Sequence, residues 1–560
     1  MSKENTDSSN ESMEHRGWFA RFLKVVEWLG NLLPHPVTLF ALFCAGIILL
    51  SGLAEWLGWS VEDPRPEGFE GRAEDGQIEA ISLMNADGFR MILENLVENF
   101  VSFAPLGTVL VALLGVGVAE HSGLIKSGIR GLVLAALSVK PTIHDPATAG
   151  FFRRTGAAIM DPKNLVTVAI IFAGIISNTA SELGYVVLVP LGAVVFYSVG
   201  RHPLAGLAAA FASVSGGYSA NLFLGTIDPL LAGLTEEAAR LIDPGYEVHP
   251  AVNWYFMIIS TFVITAVATF VTLRIVEPQL GKYDPSIAME DLSEYDDAMD
   301  PLTPLEKKGL FWAFISVLFF IGVILLLTLP EWGWLREPET GQIIVSGSPL
   351  LNGIVALIFI GFIIPGYVYG RAAGTMKSDR DVIDGMAKSM STLGLYIVIV
   401  FFAAQFVAFF GWTNLGQIFA VNGAQLLEAA GATGPFIFIL FILVSGSVNL
   451  MLGSASAQWA VTAPIFVPML MLIGYSPEVI QTAYRIGDSV TNIITPMMTY
   501  FGLILAFANR YDKNLGIGTV ISMMLPYSIF FLISWIILFM VWVFGFGFEV
   551  GPGAPTYYGD

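Results

Sequence analysis

The chain alternates long apolar runs with shorter polar segments. Nine of these runs are long enough to cross a membrane as helices, because about 20 residues at roughly 1.5 Å per residue span a hydrocarbon core of roughly 30 Å. The predicted crossings are residues 37–58, 104–120, 203–235, 251–276, 309–329, 350–369, 391–413, 478–508 and 517–546. The pattern therefore predicts an all-α polytopic membrane protein.

Two further apolar stretches, 165–200 and 434–475, are interrupted in the middle by small polar residues. The interruptions are Ser177-Asn178-Thr179 in the first stretch and Ser454-Ala455-Ser456 in the second. Each stretch could form two spans or one re-entrant hairpin, but helices of about 12 to 18 residues span a bilayer poorly. We therefore expect two hairpins, called hairpin 1 and hairpin 2.

The loop charges support this topology. Treating both stretches as hairpins puts 21 of the 27 Lys and Arg residues on one side and five on the other, and basic residues concentrate on the cytoplasmic side. The amino terminus is then cytoplasmic and the carboxyl terminus periplasmic. The predicted organisation is a polar cytoplasmic tail at 1–36, a first membrane half at 37–276, a cytoplasmic linker at 277–308, a second membrane half at 309–546 and a periplasmic tail at 547–560.

Composition excludes several functional classes. Only 13% of residues are charged and 55% are hydrophobic, whereas a soluble protein carries about 25% charged residues. The net charge of -19 is opposite to that of a nucleic-acid-binding surface. The histidines show no metal-ligand spacing, and no P-loop is found. We expect no cofactor, no nucleic-acid partner and no ATP hydrolysis, so any energy-requiring activity would draw on a Na⁺ or H⁺ gradient.

The two halves carry the same order of features. In each half a hairpin precedes a crossing interrupted by Gly, Pro and small polar residues, near 215–229 (SGGYSANLFLGTIDP) and 487–496 (GDSVTNIITP). In the predicted topology these repeats are antiparallel. Inverted repeats with broken helices are typical of secondary transporters whose site lies near the midplane, because unwound backbone inside a membrane is tolerated only where it lines a cavity or is buried in protein.

Four charged residues fall in the interior of the apolar runs, away from their ends, where a charge is costly and often functional. Arg485 and Asp488 share a helix face, so they could form a structural ion pair, or Asp488 could take a cation or proton while Arg485 meets a substrate carboxylate. Asp228 could cap a helix before Pro229 or match Asp488 functionally. Glu182 could bind ligand or complete a capping box.

Polar side chains and one tryptophan complete the candidate site. Trp459 follows the hairpin 2 tip, at a depth where the interfacial belt that explains most tryptophans does not apply, and it could form an aromatic wall for a substrate ring. The amides and hydroxyls could pack structurally or bind ligand; these candidates are Ser177, Asn178, Thr179, Asn221, Asn449, Ser454, Ser456 and Asn492. Their oxygens suit a hard cation such as Na⁺.

Two strings resemble the AbgT family, the p-aminobenzoyl-glutamate transporters: SGGYSANLFLGTIDPLLAGLT (215–235) and NLMLGSASAQWAVTAPIFVPMLMLIGYSPEVIQTAYRIGDSVTNIITPMMTYFG (449–502). The resemblance implies a bacterial inner-membrane homodimer with nine transmembrane helices and two hairpins per subunit, and a basin facing the cytoplasm. It also implies substrate-site roles for Asp228, Trp459, Pro477, Arg485, Asp488 and Pro496. Asn449 and Asp488 match a sodium site of the family.

The resulting hypothesis is a cation-coupled secondary transporter of p-aminobenzoyl-glutamate, a small anionic aromatic substrate, with the direction of transport left open. The main alternative is a proton-driven efflux pump for sulfonamide antimetabolites or p-aminobenzoate. A passive channel would require a continuous polar pore. An embedded hydrolase would require a base near Ser177, and none of the six histidines falls within a predicted crossing.

Overall fold

The computed structural model of the protein describes residues 34–69, 72, 75–138, 162–180, 184–289, 301–344 and 348–559. Glu182, the amino-terminal tail to residue 33 and the middle of the linker at 290–300 lie outside the described residues. The described chain is predominantly helical, as predicted. The described strands form one small antiparallel sheet in the predicted external loop, in which β1 (Ser60–Glu62) pairs with β2 (Gln77–Glu79).

In the first half and the start of the linker, the described residues form ten α-helices. They are α1 (Pro36–Trp56), α2 (Ala86–Val101), α3 (Ala104–His121), α4 (Leu124–Ser138), α5 (Pro162–Ser177), α6 (Val189–Ser198), α7 (Pro203–Phe211), α8 (Ile227–Ala239), α9 (Trp254–Val271) and α10 (Glu277–Leu280). Short 3₁₀ turns occupy Asn178–Ala180 and Pro285–Ile287, and π-helical turns occupy Gly184–Leu188, Ala212–Gly216 and Thr272–Val276.

The second half contributes eleven α-helices among the described residues. They are α11 (Pro304–Thr328), α12 (Pro349–Asn352), α13 (Ile354–Ala373), α14 (Asp379–Ser391), α15 (Gly394–Trp412), α16 (Leu415–Ala429), α17 (Ile437–Leu452), α18 (Ala455–Leu472), α19 (Pro477–Asn492), α20 (Phe501–Tyr511) and α21 (Ile517–Phe539), followed by a π-helical turn at Met540–Gly545.

Every predicted crossing coincides with helix. Eight helices in the described ranges are long and apolar enough to cross a membrane. Seven of them match predicted crossings, and the eighth is α18, the second arm of hairpin 2. Hairpin 1 is formed by α5 and α6, and hairpin 2 by α17 and α18.

The two remaining predicted crossings are the broken ones. The first consists of α7 with its π-helical turn, a non-helical break and α8; the second consists of α19, a break and α20. All of α7 is buried, as is all of α19 except Thr491. The broken helices therefore form the centre of the molecule.

Four described helices of 13 or more residues lie outside the predicted crossings and hairpins: α2, α4, α14 and α16. Their sequences mix apolar and polar residues, so none forms an uninterrupted apolar run of 18 residues. The sequence therefore predicted the crossings but not the shorter amphipathic helices beside them.

Close helix contacts depend on small residues. A Cβ atom on Gly206 of α7 would lie 2.1 Å from the carbonyl oxygen of Gly192 on α6, so only glycine permits this approach. A Cβ on Gly487 of α19 would lie 2.6 Å from the carbonyl oxygen of Ile442 on α17. Small residues allow membrane helices to pack backbone against backbone in this way, and the second contact brings hairpin 2 against the second broken crossing.

Candidate functional site

A cavity of about 250 Å³ lies between the tips of the two hairpins. We call it the tip chamber. Four predicted site residues line it: Asn178 from hairpin 1, Ser454 and Ser456 from hairpin 2, and Asn492 from the end of α19. The structure thus brings residues from both halves of the sequence around one space.

The hairpin 1 tip has unused hydrogen-bonding groups. The Ser177 hydroxyl donates to the Gly174 carbonyl at 2.7 Å, and the Thr179 hydroxyl donates to the amide oxygen of Asn221 at 3.0 Å. Asn178 is only 4% exposed, yet neither polar atom of its side chain has a hydrogen-bond partner among the described residues. An unpaired buried amide costs about 1–3 kcal/mol, so this side chain is suited to receive a ligand.

The hairpin 2 tip presents the amino terminus of α18 to the tip chamber. Gly453 precedes it with a φ of 60°, and a Cβ there would lie 2.8 Å from the Met497 carbonyl oxygen in the second break. Ser454 caps the helix by accepting from the Ala457 N–H at 3.5 Å. A helix amino terminus carries partial positive charge, which favours an anionic group of a ligand at this wall.

Two stacked tyrosines form another part of the chamber wall. Tyr185 and Tyr500 lie with ring centroids 4.8 Å apart and ring planes 6° from parallel. Tyr185 lies on the π-helical turn after the hairpin 1 tip, and Tyr500 ends the second break. The sequence analysis did not select either residue; the signal was a tyrosine within an apolar run close to a predicted tip or break.

Asp228 and Arg485 form a buried ion pair between the halves. Arg485 Nη1 donates to Asp228 Oδ1 at 2.7 Å, with side-chain exposures of 3% and 1%. The other carboxylate oxygen of Asp228 accepts the Gly225 N–H at 2.6 Å, so it also holds the turn before α8, close to the predicted capping role. The partner of Arg485 is therefore Asp228 rather than Asp488.

A cluster of oxygen atoms surrounds the contact between α17 and α19. Asn449 Nδ2 donates to the Asp488 carbonyl at 2.9 Å and to Asn492 Oδ1 at 2.8 Å. Gln458, on α18, donates its amide N–H to the Ser445 carbonyl at 2.7 Å. The side-chain nitrogens of Asn449 and Gln458 are therefore hydrogen-bonded, whereas their amide oxygens are not used by these bonds.

Four oxygens of this cluster are buried and have no hydrogen-bond partner within the described ranges: Asn449 Oδ1, Gln458 Oε1, Asp488 Oδ1 and Ser489 Oγ. We call these four residues the oxygen cluster. One carboxylate with neutral oxygens is a hard donor set that fits a small cation. No group of three or more His, Cys, Asp or Glu residues suited to a metal ion occurs within the ranges searched.

Asn492 joins the oxygen cluster to the tip chamber. Its side chain lines the chamber, while its Nδ2 donates to Asp488 Oδ2 at 3.3 Å and its Oδ1 accepts from Asn449. An ion that engages Asp488 or Asn449 would therefore act on a residue of the chamber wall. This contact offers a direct route for coupling two ligands.

Trp459 lies outside the lining of the tip chamber. It is fully buried, and its indole N–H donates to Thr235 Oγ1 at 2.8 Å. Its ring stacks on Tyr484 at a centroid distance of 4.2 Å. The structure thus places the predicted aromatic wall in the packing between hairpin 2, α8 and α19.

The two predicted site prolines shape the backbone of the second broken crossing. Pro477 is the first residue of α19, following the capping residue Ser476, whose hydroxyl accepts from the Val479 N–H at 3.4 Å. Pro496 lies in the break between α19 and α20. A proline suits the first helical turn, and neither ring lines the tip chamber.

A buried polar network behind the site was missed by the sequence analysis. Gln481 donates to Asn253 at 2.6 Å and accepts from Thr235 at 2.5 Å, and Asn253 donates to Thr482 at 2.8 Å. The signal was present in α19, where polar residues recur every three or four positions, at 478, 481, 482, 485, 488, 489 and 492. That spacing marks one face of a helix.

Comparisons with known proteins identify the family of the chain. The model of the AbgT transporter family matches residues 21–143 and 148–558. The p-aminobenzoyl-glutamate transport protein of Escherichia coli (strain K12) is 34% identical over 553 residues, covering 99% of this chain and 99% of the relative.

Two solved structures share the fold. One is the structure of Neisseria gonorrhoeae MtrF, which is described in connection with a class of antimetabolite efflux pumps. It is 57% identical to this chain with a TM-score of 0.85, and the match covers 95% of this chain and 100% of that chain. The Alcanivorax borkumensis YdaH transporter, described as having an unusual topology, is 41% identical with a TM-score of 0.79, covering 93% and 100% respectively. The chain is therefore a transporter rather than an enzyme, and it belongs to the AbgT family.

Proposed function

We propose that this protein is a cation-coupled secondary transporter of p-aminobenzoyl-glutamate across the bacterial inner membrane, with its amino terminus in the cytoplasm. The observation that carries the proposal is the position of Asn492, which touches both the tip chamber and the oxygen cluster. The substrate named for the Escherichia coli relative has an aromatic ring, an amide and carboxylates. The homodimer remains a prediction from the family resemblance.

In the proposed substrate complex, each group of the ligand meets a suitable part of the tip chamber. The aromatic ring packs against Tyr185 and Tyr500, since offset stacking of rings is favourable. The free amide of Asn178 hydrogen-bonds the benzoyl amide, and a carboxylate lies at the amino terminus of α18, near Ser454 and Ser456.

The cation acts through the oxygen cluster. Na⁺ would bind Asp488, Asn449, Gln458 and Ser489, or a proton would neutralise Asp488. Either event changes the hydrogen bonds that Asn492 makes, and so changes the chamber wall. Binding of one ligand then alters the affinity for the other, and such coupling is reciprocal.

Counterflow in proteoliposomes tests the proposal. Labelled p-aminobenzoyl-glutamate is measured under separately imposed Na⁺ and pH gradients, for the wild type, Asp488→Asn and Asn492→Ala. We expect one gradient to drive accumulation in the wild type, Asp488→Asn to lose that dependence, and Asn492→Ala to weaken the coupling.

A matched control is Asn422→Ala, which removes an amide whose Nδ2 donates to Ile418 within its own helix. It should leave transport unchanged. Wild-type counterflow that requires neither cation would overturn the proposed coupling. If the Asp488→Asn variant keeps its full cation dependence, Asp488 is not part of the cation site.

The second candidate function is proton-driven efflux of sulfonamides or p-aminobenzoate. It is favoured by the 57% identity to MtrF, which is described among antimetabolite efflux pumps, and by the single carboxylate in the oxygen cluster. The same proteoliposomes, loaded with a labelled sulfonamide under a proton gradient, distinguish the two functions by which solute moves.

A further inference from the structure

A second and larger cavity, of about 1260 Å³, lies on the side of the molecule between hairpin 1 and α9. We call it the lateral groove. Its walls include Phe172 from α5 and Phe262, Ala266 and Phe270 from α9, and its far end is bounded by residues around Arg274 and Lys282. None of these residues belongs to the tip chamber or the oxygen cluster.

The floor of the lateral groove presents an apolar surface, because the hydroxyls of its threonine residues are hydrogen-bonded within α9. The hydroxyl of Thr265 donates to the Thr261 carbonyl at 2.6 Å, and the hydroxyl of Thr269 donates to the Thr265 carbonyl at 2.7 Å. Both hydroxyls are therefore satisfied within α9. Phe262 and Phe270 are about half exposed, so the groove offers aromatic and aliphatic surface to its occupant.

The length of the groove matches one leaflet of a bilayer. From Phe262 to Arg274 the chain advances through helical turns, and twelve residues at roughly 1.5 Å each extend about 18 Å. One half of a hydrocarbon core is about 15 Å. The polar linker begins just beyond, so the basic end of the groove lies at the level of a membrane surface.

The basic end contains two basic residues without an ion-pair partner among the described residues. Arg201 is paired with Glu277, with Nε to Oε1 at 2.7 Å and Nη2 to Oε2 at 2.5 Å. Arg274 and Lys282 are both exposed, and within the described part of the chain neither forms an ion pair. The groove is thus lined by three basic residues and one acidic residue.

We infer that the lateral groove binds one anionic phospholipid, with its phosphate between Arg274 and Lys282 and an acyl chain along Phe262 and Phe270. Free phosphate would use only the end of the groove and leave the apolar surface uncovered. A zwitterionic lipid would leave the net positive charge uncompensated. Basic pockets between membrane helices bind anionic headgroups for the same reason.

Native mass spectrometry of the full-length protein in neutral detergent tests this inference. Phosphatidylglycerol and phosphatidylcholine of equal chain length are titrated separately. We expect one tightly bound phosphatidylglycerol per subunit and weaker phosphatidylcholine. The double variant Arg274→Gln/Lys282→Gln should weaken phosphatidylglycerol binding about thirtyfold, the effect of two basic residues near an anionic surface.

The matched control is Lys307→Gln/Lys308→Gln, which removes two exposed basic residues at the other end of the linker, outside the groove lining. It should change the affinity less than twofold. A second variant, Ala266→Trp, keeps the charges and fills the groove. It should weaken long-chain phosphatidylglycerol by tenfold or more but leave a six-carbon-chain analogue nearly unchanged.

Four results would overturn the inference: no lipid bound by the wild type, equal affinity for the two lipids, equal loss in the control variant, or undiminished long-chain binding in Ala266→Trp. The last would place the lipid elsewhere on the protein. None of these outcomes depends on the transported substrate.

Discussion

The two hairpins correspond in the repeat but differ in how they contact the rest of the protein. In hairpin 2, Trp459 donates to Thr235 of α8 and stacks on Tyr484 of α19, while the Tyr484 hydroxyl donates to the Ala455 carbonyl at 2.5 Å. In hairpin 1, the Thr179 hydroxyl donates to Asn221, whereas the neighbouring amide of Asn178 has no hydrogen-bond partner among the described residues.

Under the proposed function, this difference gives the two hairpins different roles. The side-chain contacts of hairpin 2 join it to α8 and α19, so these elements would move as one body during transport. The tip of hairpin 1 would bind the ligand, because the buried amide of Asn178 has no hydrogen-bond partner among the described residues and would gain one when a ligand enters the tip chamber.

Replacing Trp459 by Ala should have the largest effect on stability. Trp459 is fully buried, and removal of a buried aromatic ring costs about 3–5 kcal/mol. Thermal unfolding in detergent measures the loss. The control is Trp334→Ala, at a residue that is 77% exposed and should change stability by less than about 0.5 kcal/mol. A stable Trp459→Ala protein that binds no substrate would instead place Trp459 at the substrate.

Breaking the ion pair between Asp228 and Arg485 should have the second-largest effect on stability. Arg485→Gln or Asp228→Asn alone leaves a buried charge without its partner, which costs about 3–5 kcal/mol. The double variant should lose less stability than the two single variants lose together, because it contains neither buried charge. Unfolding of all four proteins gives the coupling energy. Additive losses would mean that the pair contributes nothing as a pair.

The sequence predicted the crossings and both hairpin tips because each depends on a local pattern. A long apolar run or a cluster of small polar residues is visible without knowing what lies beside it. Asn178, Ser454, Ser456 and Asn492 were found in this way, and all four line one chamber.

Partners in space were not predictable by the same reasoning. Arg485 and Asp488 are three residues apart, so helix geometry suggested their pairing, but the packing of α8 against α19 brings Asp228 to Arg485 instead. Gln458 and Tyr185 were missed because their roles arise from neighbours that are distant in sequence. Amphipathic helices such as α14 were missed because their polar residues interrupt the apolar run.

Acidification should loosen the outer end of hairpin 2. There the carboxyl-terminal tail pairs Tyr557 with Tyr475, and His249 Nε2 holds the tail through the Pro552 carbonyl at 2.9 Å. Nδ1 of this ring accepts the Ala251 N–H at 3.2 Å, so a neutral ring is required. Burial lowers the pKa of His249 to about 4.

Because this folded-state pKa lies below the ordinary value of about 6.5, the stabilisation is present above pH 6.5 and is lost as the pH falls toward 4. Between pH 7 and 5 the wild type should lose up to about 2 kcal/mol more than His249→Gln, measured by unfolding at both pH values. Parallel losses in the two proteins would show that His249 does not hold the tail.

Removing the hydrogen bond from the Thr179 hydroxyl to Asn221 at the hairpin 1 tip should have a smaller effect on stability. Thr179→Val deletes the donor to Asn221, which still accepts the Phe223 N–H at 3.2 Å. The expected loss is about 1 kcal/mol. Thr462→Val in hairpin 2 is the control, since its hydroxyl only donates to the Gln458 carbonyl of the same helix. A loss of stability as large as that of Trp459→Ala would show that the hairpin 1 tip contributes as much to folding stability as hairpin 2 does.

The smallest effect on stability and the most informative result should come from Asn178→Ala. Its amide has no partner to lose among the described residues, so unfolding should shift by less than about 0.5 kcal/mol. Binding of p-aminobenzoyl-glutamate should weaken about tenfold or more, because hydrogen bonds made only with the ligand disappear. Calorimetric titration against Asn422→Ala measures the difference. Lost stability with unchanged binding would mean that both hairpin tips serve the fold, and that the substrate is recognised elsewhere.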